Sequence, residues 1–313
     1  MGNVDGSPLL AKHFAPGCSV FRVYDRGSVS APVRGPSRTA VLTAAARALH
    51  REQPPPRVLD DYLARGLAGQ EGGVLAARLR AELTEQQLLM FSRWVCVRAR
   101  WPEDIMESAV SDGVAQYVIL GAGLDSFAYR RRDLADRLQV FEVDHPASQL
   151  WKRQRLAELD VVVPGNLVFA AVDFEREALA DGLRAAGFDF GRLAVFAWIG
   201  VTMYLTAEAI ATTLRTIRRC PPGTRVVMTY NLPRTALDAR AREVEAVMAP
   251  MMADLGEPMI SLFTPNQIER FLLEHGFEHV VHFGPDEATD RYFAGERDIW
   301  FAGVQRLVAA AVA

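Results

Sequence analysis

The sequence predicts a doubly wound, Rossmann-like α/β fold with a mostly parallel sheet, an antiparallel C-terminal hairpin and an N-terminal helical cap. Three observations predict it. Short β-rich apolar runs alternate with helix-length segments from Gln116 onward. The first of those runs passes directly into Gly121-Ala122-Gly123. The stretch before it, from Ser37, has helical rather than strand periodicity.

Residues 1–36 mix Gly, Pro and Ser without a sustained period and read as a loosely ordered arm. At Ser37 a helix N-cap precedes RTAVLTAAARALH, which the prolines Pro54, Pro55 and Pro56 stop. A second helix is expected through QQLLMFSRWVCVRAR. Pro102, followed by Glu103 and Asp104, reads as the first turn of another.

The buried-strand candidates are QYVIL (116–120), QVFEVD (139–144), LVFAAVD (167–173), LAVFAWI (193–199) and RVVMTY (225–230). Continuous apolar runs of this kind suit strands covered on both faces of a parallel sheet. Thr206 opens a helix with the stripe Ile210, Leu214, Ile217, and Thr264 with Gln267 forms a capping box for a helix closed by Gly276. EHVVHF and DIWFAGVQ then read as two strands with no helix between them. The predicted organisation is an arm (1–36) and a single domain (37–313): a helical cap (37–114), then a sheet core (115–313) with a lid insertion at about 233–262.

Composition narrows the partners. Lys+Arg 35 against Asp+Glu 38 gives a net charge of −3 over 313 residues with no polybasic run, which argues against nucleic acid and anionic membranes. The three cysteines Cys18, Cys96 and Cys220 are widely spaced, without a zinc or disulfide pattern, and no apolar run is long enough for a membrane span. A cytoplasmic protein acting on a small molecule, as monomer or homodimer and without a metal, is the expectation.

The chemistry gathers at the strand ends. Gly121 and Gly123 let a ligand approach the backbone at the carboxyl end of the first strand. The second strand ends in Glu142-Val143-Asp144, and 144 − 123 = 21 puts an acid where a ribose diol is gripped; a tight turn with a solvated acid is the plain alternative. A dinucleotide site would want a third glycine, and Ser126 stands there. S-adenosylmethionine carries ribose and adenine but no phosphate, so it fits better. Asp173, after the third strand, can meet the adenine amino group or cap the following helix.

The blocks RTAVLTAAARALH, VRARWPED, YVILGAGLDSFAYR, FEVDHP, VDFE and WIGVTMYL occur in the order of the leucine carboxyl methyltransferase-like family. Over roughly residues 37–305 the chain resembles these S-adenosylmethionine-dependent O-methyltransferases, which act on protein C-termini and in bacterial secondary metabolism. The resemblance implies that Arg98, with Arg100 as a second candidate, pairs with the cofactor carboxylate. It also implies that Gly121, Ala122, Gly123 and Asp125 shape the loop, that Asp144 holds the ribose, and that Asp173 and Phe174 flank the adenine. One departure stands out: Ile199 occupies the position before Gly200 where several family members carry an acid.

Methyl transfer needs positioning more than a nucleophile. A carboxylate acceptor is already ionised, whereas a hydroxyl profits from a base, which makes His145 and Tyr204 the catalytic candidates; His145 can equally cap a helix. Tyr230 and Asn231 are further candidates for holding an acceptor. His275 and His279 read as surface residues and His50 as a packing residue. Met248, Met251, Met252 and Met259 line a lid or simply fill core. The reading is therefore O-methylation of a small metabolite. Methylation of a protein C-terminal carboxylate, a NAD(P)-dependent reductase and a non-catalytic cofactor-binding protein are its alternatives.

Overall fold

A computed structural model describes residues 37–173, 177–255, 259–296 and 298–313. The expected arm, Cys18 and Phe174 lie outside the described residues. The chain begins with α1 (Arg38–Glu52), α2 (Ala64–Glu82) and α3 (Glu85–Ser111). Ser37 caps α1, its Oγ accepting the Ala40 N–H at 3.1 Å. Within α2, Gly69 takes φ +61, a left-handed conformation that kinks the helix and is open to a residue without Cβ.

The proline reading needs correction. Pro102 lies inside α3, a single helix of 27 residues, rather than opening a new one. It leaves the Arg98 carbonyl without its helical donor. The helix continues because Trp101, Pro102, Glu103 and Met106 are all buried, and tertiary packing outweighs the local penalty. A capping box between Thr84 and Gln87 anchors its start.

The sheet region runs β1 (Gln116–Leu120), α4 (Phe127–Arg130), β2 (Gln139–Asp144), α5 (Pro146–Glu158), β3 (Leu167–Ala171), α6 (Leu179–Ala185), β4 (Val195–Trp198), α7 (Ala207–Ile217), β5 (Arg225–Asn231), α8 (Ala239–Asp254), α9 (Pro265–Glu274), β6 (Phe277–Phe283), α10 (Pro285–Tyr292) and β7 (Gln305–Val312). The seven strands are ordered β3-β2-β1-β4-β5-β7-β6. All pairs through β5 are parallel, and β7 runs antiparallel to both β5 and β6. An antiparallel C-terminal pair is therefore present, as expected. Its connection is not a hairpin, however: α10 intervenes, and the last strand begins at Gln305, where DIWFAGVQ ends.

Alternation along each strand explains the unbroken apolar runs. Tyr117 and Ile119 of β1 face a core shared with α1, α2 and α3, while Val118 and Leu120 face a second core shared with α6, α7 and α9. Each fully buried Val, Leu, Ile or Phe contributes about 1.5–3 kcal/mol, so slipping any strand by one residue would exchange two apolar layers rather than expose one. The chain reverses direction beside β1, between β2 and β4, and a crevice opens there at the strand carboxyl ends.

Candidate functional site

A cavity of about 1060 Å³ fills that crevice, between the strand ends and α1, α3 and α8. The strands deliver to it Gly121, Ala122, Gly123 and Asp125 after β1, Asp144 and His145 after β2, Asp173 after β3, and Ile199, Gly200 and Tyr204 after β4. Arg98 enters from α3, and Asn231 and Gln305 come from paired positions of β5 and β7.

The glycine loop is tied from below. Gly121 and Ala122 both donate their N–H groups to the Val143 carbonyl, and the Gly123 N–H donates to Asp144 Oδ2 at 2.6 Å. Gly121 takes φ +66, and a Cβ there would sit 2.6 Å from Val201 Cγ2, so the turn requires glycine. The second Asp144 oxygen accepts the His145 N–H at 2.7 Å. Burial raises the Asp144 carboxyl above its ordinary range, with these two N–H donors opposing. Each oxygen keeps a further acceptor position, since a carboxylate offers about four. Asp125 accepts the Phe127 N–H on Oδ1 at 2.7 Å, turning the loop into α4.

Arg98 is the unusual cation. Its Nη1 donates to Gln305 Oε1 at 2.7 Å, and it has no carboxylate partner among the described residues. Burial lowers its basicity to about 10, with the nearby Tyr204 working the other way, so it is charged at neutral pH. Arg47 contrasts with it: its Nε donates to Asp61 Oδ2 at 2.7 Å and its Nη2 to the Leu124 carbonyl at 2.7 Å. Burial pushes the Asp61 carboxyl up, but Arg47 and Arg130 outweigh it and hold the group below its ordinary value.

Several expectations shift. Arg100 pairs with Asp104 at 2.6 Å and is absent from the cavity wall; two residues along a helix reverse the face, so only Arg98 reaches inside. Glu142 does not line the cavity either: it is buried against Lys152 Nζ at 2.6 Å, and the same ammonium donates to the Asp125 carbonyl at 2.6 Å. That pair supports the loop from beneath. His145 caps α5, its Nδ1 accepting the Ala147 N–H at 3.2 Å, which leaves the proton on Nε2. The nitrogen that a base would use is therefore engaged. Tyr230 points to the opposite face of the sheet and pairs its hydroxyl with His282 Nδ1 at 3.2 Å, as alternation along β5 requires. Asp173 stands in the wall, and α6 opens behind Ala178 rather than behind Asp173. His50 is fully buried and bonded to Gln53 and Val58. Among the described residues no group of acids, histidines and cysteines could hold a metal ion, and no helix is long and apolar enough to cross a membrane.

The outer chamber is apolar. Met90, Phe91 and Trp94 of α3, Met248 and Met252 of α8, and Met259, Trp300 and Phe301 supply this part of the lining. Met251 is buried in the core and, unlike Met252, does not reach the cavity wall. The segment after α8 is stitched to the turn that carries Tyr204: the Ile260 N–H donates to the Met203 carbonyl at 2.7 Å, and Ser261 Oγ donates to the Leu205 carbonyl at 2.5 Å. Neither Gln305 nor the aromatic pair Trp300 and Phe301 carries a sequence signal as a site residue, because the antiparallel register of β7 brings Gln305 to the crevice and the segment leading into that strand brings the two aromatics.

The profile of the leucine carboxyl methyltransferase family matches residues 40–218. The chain belongs to this family. It is 32% identical over 285 residues to YktD of Bacillus subtilis (strain 168), a candidate S-adenosyl-L-methionine-dependent methyltransferase, across 84% of this chain and 93% of that protein. A similarly described protein of Mycobacterium tuberculosis (strain ATCC 25618 / H37Rv) is 34% identical over 191 residues, across 61% of this chain and 62% of its own length. The crystal structure of a candidate methyltransferase from Thermobifida fusca YX superposes with a TM-score of 0.57 at 17% identity, over 89% of this chain and 95% of that one, and supports the fold alone. Leucine carboxyl methyltransferase membership makes the chain a methyltransferase and removes the reductase alternative.

Proposed function

We propose that this methyltransferase moves the methyl group of S-adenosylmethionine to a carboxylate or hydroxyl oxygen of a small metabolite, of the kind handled in secondary metabolism. The observation that carries the reading is Arg98, a charged guanidinium in the cavity wall without a carboxylate partner among the described residues. A half-buried cation of that kind, facing a cavity, calls for an anion from outside. The cofactor carboxylate answers it, and the other fittings agree. Asp144 retains acceptor positions for a ribose diol, Gly121 keeps the loop clear of a Cβ, and Asp173, the residue we assign to the adenine, lines the same cavity.

When bound, S-adenosylmethionine supplies a methyl group on a sulfonium, an electrophile already activated. The chain's own residues then do positional work. Arg98, Asp144 and the glycine loop fix the donor end, and orientation of this kind is worth about 7–11 kcal/mol in favourable cases. The methionines and tryptophans of the outer chamber exclude water and hold an apolar acceptor body. Tyr204, beside Arg98, is the residue placed to hold a proton of a hydroxyl acceptor; an ionised carboxylate needs none. A cavity of about 1060 Å³ lies at the upper end of the range for ligand sites and leaves room for a cofactor with a small acceptor.

Titration calorimetry with S-adenosylhomocysteine tests the reading, and absence of binding at high protein concentration would sink it. Asp144→Ala is expected to lower that affinity by about 1–3 kcal/mol, from lost ribose bonds and a slackened loop.

A further inference from the structure

Gln305 holds Arg98 in an orientation that a carboxylate at the same position would defeat. Its Oε1 accepts from Arg98 Nη1 at 2.7 Å, and its Nε2 donates to Asn231 Oδ1 at 3.1 Å. Asn231 Nδ2 donates in turn to Met259 Sδ at 3.1 Å, and the Asn231 carbonyl accepts the Phe263 N–H at 2.9 Å. The row has a fixed polarity. A guanidinium only donates, so the Gln305 carbonyl must face it and the amide nitrogen must face away, which sets Asn231 the same way round. Register reinforces this, because Asn231 and Gln305 are directly paired on β5 and β7.

We infer that Gln305 is a positioning residue for cofactor binding: a neutral amide that aims the Arg98 guanidinium without neutralising it, so that its charge is kept for the ligand's carboxylate. The inference rests on the cofactor reading given above. The chemistry distinguishes an amide from an acid at one atom. Glutamine and glutamate have nearly the same shape, but a glutamate oxygen 2.7 Å from Arg98 would close an internal ion pair and leave the incoming carboxylate to compete with it. Asn231 serves as the backstop, and through Met259 it joins this fixture to the segment that closes the acceptor chamber.

The test is calorimetry at pH 8 with two ligands, S-adenosylhomocysteine and its decarboxylated analogue, on the wild-type chain, Gln305→Glu and Gln305→Met. The wild-type chain is expected to prefer the ligand with the carboxylate. Gln305→Glu is expected to bind S-adenosylhomocysteine at least about tenfold more weakly while holding the decarboxylated ligand within about threefold of wild type. Gln305→Met, which lacks the aiming bond but adds no charge, should fall between them. Binding of the decarboxylated ligand reports that each variant is folded. Equal loss of both ligands in Gln305→Glu, or no loss of either, overturns the positioning role while leaving the cofactor reading intact. Failure of the wild-type chain to bind either ligand overturns both.

Discussion

Arg98 is a half-buried guanidinium without a carboxylate partner among the described residues, so it is best understood by comparing the two states it must serve. Arg98→Met is expected to cost about 2–3 kcal/mol of S-adenosylhomocysteine binding, the worth of hydrogen bonds to a charged group, while the melting temperature of the ligand-free protein does not fall. Calorimetry and thermal melts separate these effects, and a large loss of unliganded stability would assign Arg98 to the fold instead.

Glu142 offers a second test at a single residue. Burial, only partly offset by Lys152, raises its carboxyl from the ordinary 4.5 to about 7. The folded state thus holds this proton more tightly than the unfolded chain. The contribution to stability is full below pH 4.5 and is lost as pH rises through about 7. Relative to wild type, Glu142→Gln is expected to gain stability between pH 5 and pH 8 in urea titrations; a flat difference would show an unperturbed carboxyl.

Residues of this kind were only partly legible. Asp144 announces itself by its spacing from the glycine loop, but Glu142, two residues earlier, shares the same acidic look and differs only in what packs over it. Lys152 lies ten positions away and no local pattern joins the two.

Among the elements, those whose signals are local were readable. Ser37, Thr206 and Thr264 each cap a helix as read, and the parallel strands follow from being covered on both sides. The unread ones depend on distant packing. Gly66 in α2 lies so close to α5 that a Cβ would come within 2.9 Å of a Leu159 methyl, so a glycine that looks like a helix breaker marks a close crossing. Pro102 misled in the same way, since the burial that carries α3 through it comes from other elements. α3 bears Arg98, yet its anchor is remote: Thr84→Ala is expected to cost about 1 kcal/mol of stability in urea unfolding and to leave cofactor affinity unchanged. A matching loss of affinity would mean that fraying at Thr84 reaches the site.

Over the whole molecule, the cavity separates the N-terminal helices and α8 from the sheet, so a ligand there touches both halves at once. Saturation at about one hundred times its dissociation constant should add about 2.7 kcal/mol to unfolding in urea. A gain seen in the sheet's signals but not in those of α1 and α3 would show that the cap moves independently. The fold class was legible because alternating strands and helices leave few topologies. The acceptor chamber was not, because its walls come from segments far apart in sequence, and their meeting is a property of the closed fold.

Arg98 and Gln305 are 207 residues apart, and the second of them belongs to β7, which follows the other six strands of its sheet in the chain. The consequence concerns time. A ribosome-bound chain halted before residue 305 already owns its glycine loop, Asp144 and its guanidinium, but the slot between β5 and β6 stands empty and the Gln305 bond to the cation is missing. Full competence to take up the methyl donor therefore arrives late, and a prematurely terminated product is expected to hold the donor more weakly although most of its pocket residues are already made.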